Sequence, residues 1–289
     1  MYRKFYLQNS KGDTFKLTDE NFKQFLSNPS GLGFKRTVTG YVVGNAMKIN
    51  AASYDFTQID GSILFYNKRE QAYQDYFNFV NFTSFTPIKL FYTPANTLSS
   101  YFCEVEILKA DKTEYNVNGY LEVPVQFQAT SHWQDAVESI IEASNQNIGD
   151  GKQYPLERPY YYASSTLSDI KIINDGSDAV GFKIEVIGNV TNPQWSIYQN
   201  GELYGTCKIN GTYDYVSVVS IDGQNNIYLE LNGSAITNPA SYQDLSITGG
   251  DLTFIKLKTG ESHMTFTAGN ISTFTGNVKI HLRNSYVSV

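Results

Sequence analysis

The sequence predicts a mainly β protein, with an N-terminal β domain holding one α-helix and a C-terminal β-sandwich. Three observations predict it. Tyr and Phe are abundant, 22 and 18 among 289 residues, alongside many Val, Ile and Thr, and such side chains fit the half-buried surface of a pleated sheet. Apolar and polar residues alternate with period two along much of the chain. Asn-Gly and Asp-Gly pairs separate the alternating runs and offer the positive-φ positions that tight hairpins need.

The elements follow in order. Strand candidates at 62–66 and 88–92 flank NKREQAYQDYFNFVNF, where Ala72, Tyr73, Tyr76, Phe77 and Val80 fall at helical spacing. Asn67 is the expected N-cap, with Glu70 at the capping-box distance. Tyr101, Cys103, Val105 and Ile107 alternate with Phe102, Glu104 and Glu106, and Leu121, Val123, Val125 and Phe127 alternate with Glu122, Pro124, Gln126 and Gln128. Pro124, on the outward set, points to an edge strand or a bulge.

Residues 131–165 break the pattern. A weakly amphipathic stretch with Ala136, Val137, Ile140 and Ile141 gives way to SNQNIGDGKQ, Pro155, Pro159 and the triplet Tyr160, Tyr161 and Tyr162. Polar, Gly- and Pro-containing runs of this kind mark domain boundaries. The expected division is 1–135 for the N-terminal domain, 136–165 for an irregular linker and 166–289 for the sandwich. In that last part Val180, Phe182, Ile184 and Val186 alternate, as do Ile227, Leu229 and Leu231; Thr253, Ile255 and Leu257; Met264, Phe266 and Ala268; and Val278, Ile280 and Leu282. The pairs at 200–201, 210–211, 222–223 and 232–233 are the expected hairpin turns.

Charge and composition exclude several classes of function. The formal charge is -6, with 22 Lys and Arg against 28 Asp and Glu and no basic cluster. Counterion release, which drives most nucleic-acid binding, has nothing to act through, so sequence-specific nucleic-acid recognition is not expected. No run approaches the ~20 apolar residues of a spanning helix, so neither is membrane insertion. Cys103 and Cys207 read as small buried hydrophobes. The Asn-x-Ser/Thr triplets at Asn81, Asn189, Asn210, Asn232 and Asn270 read as accidents of polar turns.

The usual catalytic constellations are missing. His132, His263 and His281 are the only histidines, and none has HxxxH or HExxH spacing. His281, out of phase with Ile280 and Leu282, is expected on the solvated face of its strand. Zinc ligand pairs, P-loops, dinucleotide fingerprints and nucleophile elbows are absent. No cofactor or metal is expected, and the chain reads as a non-enzyme. A carboxylate pair for glycoside hydrolysis is the minority alternative.

The segment Asn28-Pro29-Ser30-Gly31-Leu32-Gly33-Phe34 combines a fixed proline φ with two permissive glycines. It resembles a signature of the distal tail proteins of long-tailed phages infecting Gram-positive bacteria. In that family a strand like 5–8 precedes the loop, a glycine like Gly61 precedes a strand and helix, and a run like 127–133 closes the N-terminal domain. Residues 188–195 and 268–271 resemble two loops of the family's galectin-like sandwich.

The resemblance implies structural work. Such proteins form a homo-hexameric ring, single or as two stacked rings, at the distal end of the tail, with a channel for DNA. The implied partners are the tail tube protein, the tail-tip or tail-associated lysin protein, and receptor-binding or accessory baseplate proteins. The implied location is the virion tail tip, assembled in the host cytoplasm. Some relatives carry a long insertion in the C-terminal domain, for which 166–289 leave little room. Tyr160, Tyr161 and Tyr162 are then a candidate partner contact, with packing on a neighbouring domain as the plainer alternative. The 28–34 loop is expected to matter for the ring domain, and Val in place of Gly31 or Gly33 is expected to damage it by Cβ strain if the φ there is positive.

A rival function is carbohydrate binding by the sandwich. Trp195 and Tyr198 follow Asn192 and Pro193, and an exposed Trp face can stack on a pyranose. A packed or interfacial Trp is the favoured alternative.

Overall fold

A computed structural model gives the fold and describes residues 3–18, 21, 23–95, 97–144, 167, 169–220, 227–232, 234–236, 245–248 and 256–289. The chain divides into two units, Met1–Ala136 with Tyr286–Val289, and Val137–Ser285.

Unit 1 runs β1 (Lys4–Gln8), β2 (Thr14–Lys16), β3 (Gln24–Ser30), β4 (Lys35–Val43), β5 (Ala46–Asp55), β6 (Gln58–Phe65), α1 (Arg69–Thr83), β7 (Ile88–Thr93), β8 (Tyr101–Ala110), β9 (Leu121–Ala129) and β10 (Trp133–Asp135). Its main antiparallel sheet has the order β2-β1-β7-β8-β9-β6-β3, and β10 pairs with β8. The alternation in β9 sends Leu121, Val123, Val125, Phe127 and Ala129 into the core, where they meet Phe5, Leu7, Ile59, Ile63 and Phe65. Each such fully buried large side chain stabilises the domain by about 1.5–3 kcal/mol. Cys103 lies in this core as a free thiol, and Cys207 lies likewise in the core of unit 2.

Three local expectations are corrected here. The helix begins at Arg69 after Lys68, without a side-chain cap, because Asn67 gives its amide to Asp75 across 2.5 Å instead. Its core-facing residues are Ala72, Phe79 and Phe82, with Tyr73 and Tyr76 packed beside them, while Phe77 and Val80 are exposed. The sheet meets the helix on the face one residue round from the expected stripe. Pro124 lies on interior strand β9, paired with Ser62 of β6. Its carbonyl accepts from the Asp111 amide, just past the last β8 pair at Ala110 and Val125. The missing N–H therefore faces the side where β8 has already left the ladder, so an interior proline is tolerated.

Unit 2 contains β11 (Ser139–Ser144), β12 (Ile170–Asn174), β13 (Phe182–Thr191), β14 (Gln194–Gln199), β15 (Glu202–Ile209), β16 (Thr212–Ser220), β17 (Ile227–Leu231), β18 (Ser234–Ile236), β19 (Leu245–Thr248), β20 (Gly260–Thr267) and β21 (Asn277–Leu282). A final short strand, β22 (Ser285–Tyr286), pairs with β10 of the first sheet. The sheets β11-β21-β13-β16-β17-β18 and β12-β20-β14-β15-β19 share one core, which is the arrangement of a sandwich.

β11 occupies part of the expected linker, paired with β21 from Ser139 opposite Leu282 to Ser144 opposite Asn277. Its burial is intermediate except at Ala143, so no clean alternation marked it. The Asn200-Gly201 turn, with φ of 54° and 79°, joins β14 to β15 as a hairpin; Asn232, with a φ of 49°, follows β17, which pairs with β18, while Gly233 lies outside the described residues. Asn210 and Gly211 do not form a hairpin, because β15 and β16 lie in different sheets and the turn carries the chain across the sandwich. The pair at 222–223, and Thr253 and Ile255, lie outside the described residues.

Candidate assembly surface

Strand β3 pairs with β6, but the register slips between Ser27 and Ser30, so Asn28 and Pro29 form a bulge. Asn28 adopts a φ of 47° and Gly31 one of 82°. Gly61 lies opposite the bulge, where a Cβ would come within 3.1 Å of both the Leu26 side chain and the Ser27 carbonyl. Beyond the bulge, Leu32 packs against the domain core, whereas Phe34 is exposed and meets Tyr54 edge-on at 5.5 Å. The 28–34 segment therefore ends the β3 ladder and redirects the chain.

It redirects the chain into β4 and β5, which among the described residues pair only with each other. Every residue from Lys35 to Tyr54 is exposed. The hairpin turns at Gly44 and Asn45, and its tip carries Tyr41, Val42, Val43, Met47 and Ile49, with Val42 75 % exposed. At its base Thr37 donates to Asp55 at 2.7 Å, Lys35 lies 3.8 Å from the same carboxylate, and Arg36 lies over the Tyr54 ring. These contacts stiffen the arm where it joins the domain. Ten strand residues at about 3.3 Å each carry the tip roughly 30 Å outward.

Sequence reasoning missed this arm. The signal was the Gly44-Asn45 pair between apolar runs, but apolar residues on both faces hide the period-two pattern.

A notch of about 590 Å³ opens at the arm's base, lined by Gly31, Gly33, Phe34, Lys35, Phe56, Thr57, Gln58 and Gln128. Phe56 packs edge-on to His132 at 5.2 Å yet stays half exposed. Gln58 donates to Asp60 at 2.7 Å, which puts a carboxylate beside the notch. Loop, arm and notch thus form one continuous surface of unit 1.

The other predicted site residues lie elsewhere. Trp195, 2 % exposed, sits in the core of unit 2, so its ring offers no face to a sugar and the stacking expectation is corrected. Burial follows from its register, opposite Phe266 and Cys207 on the inward face of β14. Tyr198, at the outer end of β14, is half-buried. Tyr160, Tyr161 and Tyr162 lie outside the described residues.

The two C-terminal loops picked out by resemblance do meet. Asn270 accepts from the Thr191 amide at 2.9 Å and donates to the Asn189 carbonyl at 3.0 Å, while Gly269 donates to the Thr191 carbonyl at 2.6 Å.

Two histidines sit among acids. His281 is not solvated as expected: its side chain is 11 % exposed and bridges Glu138 at 2.9 Å and Glu185 at 2.9 Å. Burial alone would raise the Glu185 carboxyl, but hydrogen bonds from Lys183, His281 and Tyr215 hold it down at about 2. His263 is raised by its hydrogen bonds to Asp169 at 2.6 Å and Glu261 at 3.0 Å. No group of three metal-ligating side chains is found among the described residues, nor any helix long and apolar enough to cross a membrane.

Residues 4–130 match the family described as the distal tail protein N-terminal domain. Most of unit 1 thus matches the N-terminal domain of the distal tail proteins. It is similar over its whole length to a chain of the phage P2 baseplate in its activated conformation, at 16 % identity, 100 % coverage of both chains and a TM-score of 0.63 with calcium, and 0.62 with strontium. It is also similar to the Dit protein of phage SPP1, described as a paradigm of the hub adsorption apparatus in phages infecting Gram-positive bacteria, at 10 % identity, 96 % and 98 % coverage and a TM-score of 0.61. No curated protein matches the sequence.

Proposed function

We propose that this protein is a ring-forming hub at the distal end of a phage tail, joining the tail tube to the tail-tip and receptor-binding proteins around an open channel. The role is structural rather than catalytic. Unit 1 builds the ring as a homo-hexamer, and the sandwich, read as galectin-like, carries the accessory proteins.

The β4–β5 arm carries this reading. A lone two-stranded hairpin is marginal in water, and this one exposes two unpaired edges and a cluster of apolar side chains. Such a surface invites association unless it is covered, and a repeated subunit gives every arm the same cover. Charge is consistent with a channel through the N-terminal ring. Residues 1–136 hold 13 cations and 13 acids, so the whole -6 belongs to 137–289, and the ring domain has no net attraction for DNA.

Light scattering of the purified protein, with negative-stain imaging, tests the reading. The expected species is a hexamer or dodecamer seen as a ring with a central hole. A protein that stays monomeric, alone and with the tail tube protein, overturns it.

A further inference from the structure

The sequence holds four Asn-Gly pairs, at 118–119, 200–201, 210–211 and 232–233. Such a pair can react with itself, because glycine lacks the Cβ that would keep its main-chain nitrogen away from the asparagine side chain. We propose that Asn200 is a self-modification site of unit 2, converting to aspartate and its β-linked isomer while the fold holds back the other three asparagines.

The step needs only water as co-reactant. The Gly201 nitrogen bonds to Cγ of Asn200 and gives up its proton, and the side-chain nitrogen leaves with that proton as ammonia, closing a five-membered imide. Water then adds to one of the two imide carbonyls and breaks that C–N bond. Opening on one side gives aspartate. Opening on the other gives an isomer whose main chain runs through the former side chain and is one atom longer. No electrons are gained or lost.

Hydrogen bonds separate the four pairs. The glycine N–H must be free to attack, and the asparagine side chain must be free to be reached. The Gly119 N–H donates to the Asn116 carbonyl at 3.0 Å, and the Gly211 N–H donates to the Asn192 side chain at 2.8 Å. Asn210 is held further by Tyr213, whose hydroxyl donates to its carbonyl at 2.6 Å. The Asn232 side-chain oxygen accepts from the Asp214 and Tyr215 amides at 2.7 and 3.3 Å. At 200–201 neither restraint is present: among the described residues, the Asn200 side chain and the Gly201 amide have no hydrogen-bond partner. Both residues are exposed, and a Cβ built on Gly201 would meet nothing within 4 Å. No neighbouring atom therefore blocks this turn from bending into the imide geometry.

Conversion changes the β14–β15 hairpin in two ways. It places a carboxylate beside Glu202 on the exposed turn. The longer isomer also no longer fits a two-residue turn between Gln199 and Glu202, which pair across it.

Ageing the full-length protein in mildly alkaline buffer, followed by peptide mass mapping, tests the proposal. Asn200 should convert at least about fivefold faster than Asn118, Asn210 or Asn232, the ratio that one protecting hydrogen bond supplies. In urea the four rates should converge. Asn192→Gly suits the φ of 49° at that position and removes the acceptor for the Gly211 amide, so it should speed Asn210 severalfold. Asn192→Asp keeps an acceptor and should leave Asn210 slow. Asn232 is the internal control, staying slow as long as unit 2 is folded. Equal rates in the folded wild type, or a faster Asn118, Asn210 or Asn232, overturn the proposal, and so does an equally slow Asn210 in both Asn192 variants.

Discussion

Gly31 is pressed against the main chain of Gln58: a Cβ added there would lie 1.9 Å from the Gln58 carbonyl oxygen, and Gly31 has a φ of +82°. Strain and collision act together, and neither neighbour is a side-chain end that could move aside. We expect Gly31→Val to cost about 2–4 kcal/mol. Gly33, two residues on, has open space around its α-carbon and no positive φ, so Gly33→Val should stay within about 0.5 kcal/mol. The expectation that Val harms a glycine of positive φ therefore falls on Gly31 and not on Gly33. Urea unfolding of the two variants checks the contrast, which fails if both shift alike.

Trp195 is a core residue, so its loss should appear as instability and not as lost sugar affinity. Trp195→Ala should destabilise unit 2 by about 3–5 kcal/mol. A thermal melt compared with a glycan array on the wild type would decide the matter; glycan binding by the wild type that disappears in a variant of unchanged stability would contradict this.

Glu185 links stability to acid. Its carboxyl is held at about 2, below the ordinary 4.5, so the folded state binds this proton later than the unfolded chain does. The contribution is complete above the unfolded value and is lost as pH falls through about 4.5 toward 2. It amounts to about 1–2 kcal/mol after discounting for solvent at this partly screened site. Glu185→Gln should flatten the fall in unfolding midpoint between pH 5 and 2.5. A slope identical to wild type would refute it.

His263 should titrate above the ordinary 6.5 because its hydrogen bonds to Asp169 and Glu261 favour the charged ring. A raised group stabilises the fold below its unfolded value and loses that effect as pH rises through the folded one. NMR titration of the imidazole should show the elevated midpoint, and Asp169→Asn should bring it down.

Residues 286–289 should matter to the stability of unit 1, of which they are part. Tyr286 meets Tyr101 edge-on at 5.3 Å, and both Tyr286 and Val289 pack against the core of unit 1. Truncation after Ser285 should lower the stability of unit 1 by about 1–3 kcal/mol, visible as an earlier first transition on heating.

By itself the sequence determined the β class, the helix around 69–83 and the alternating strands of both cores, because each rests on local periodicity and turn chemistry. It also held the 28–34 signature. The tertiary structure alone decided what lies across from each element. Asn67 lost its capping role to Asp75, His281 was enclosed by Glu138 and Glu185 from two other segments, and Trp195 turned inward because its neighbours are Cys207 and Phe266. The arm stayed hidden for the opposite reason: neither of its faces rests on a core, so no alternation was imposed on residues 35–55. Burial writes a period into a sequence, whereas a surface awaiting a partner writes none, and only the fold reveals that it stands uncovered.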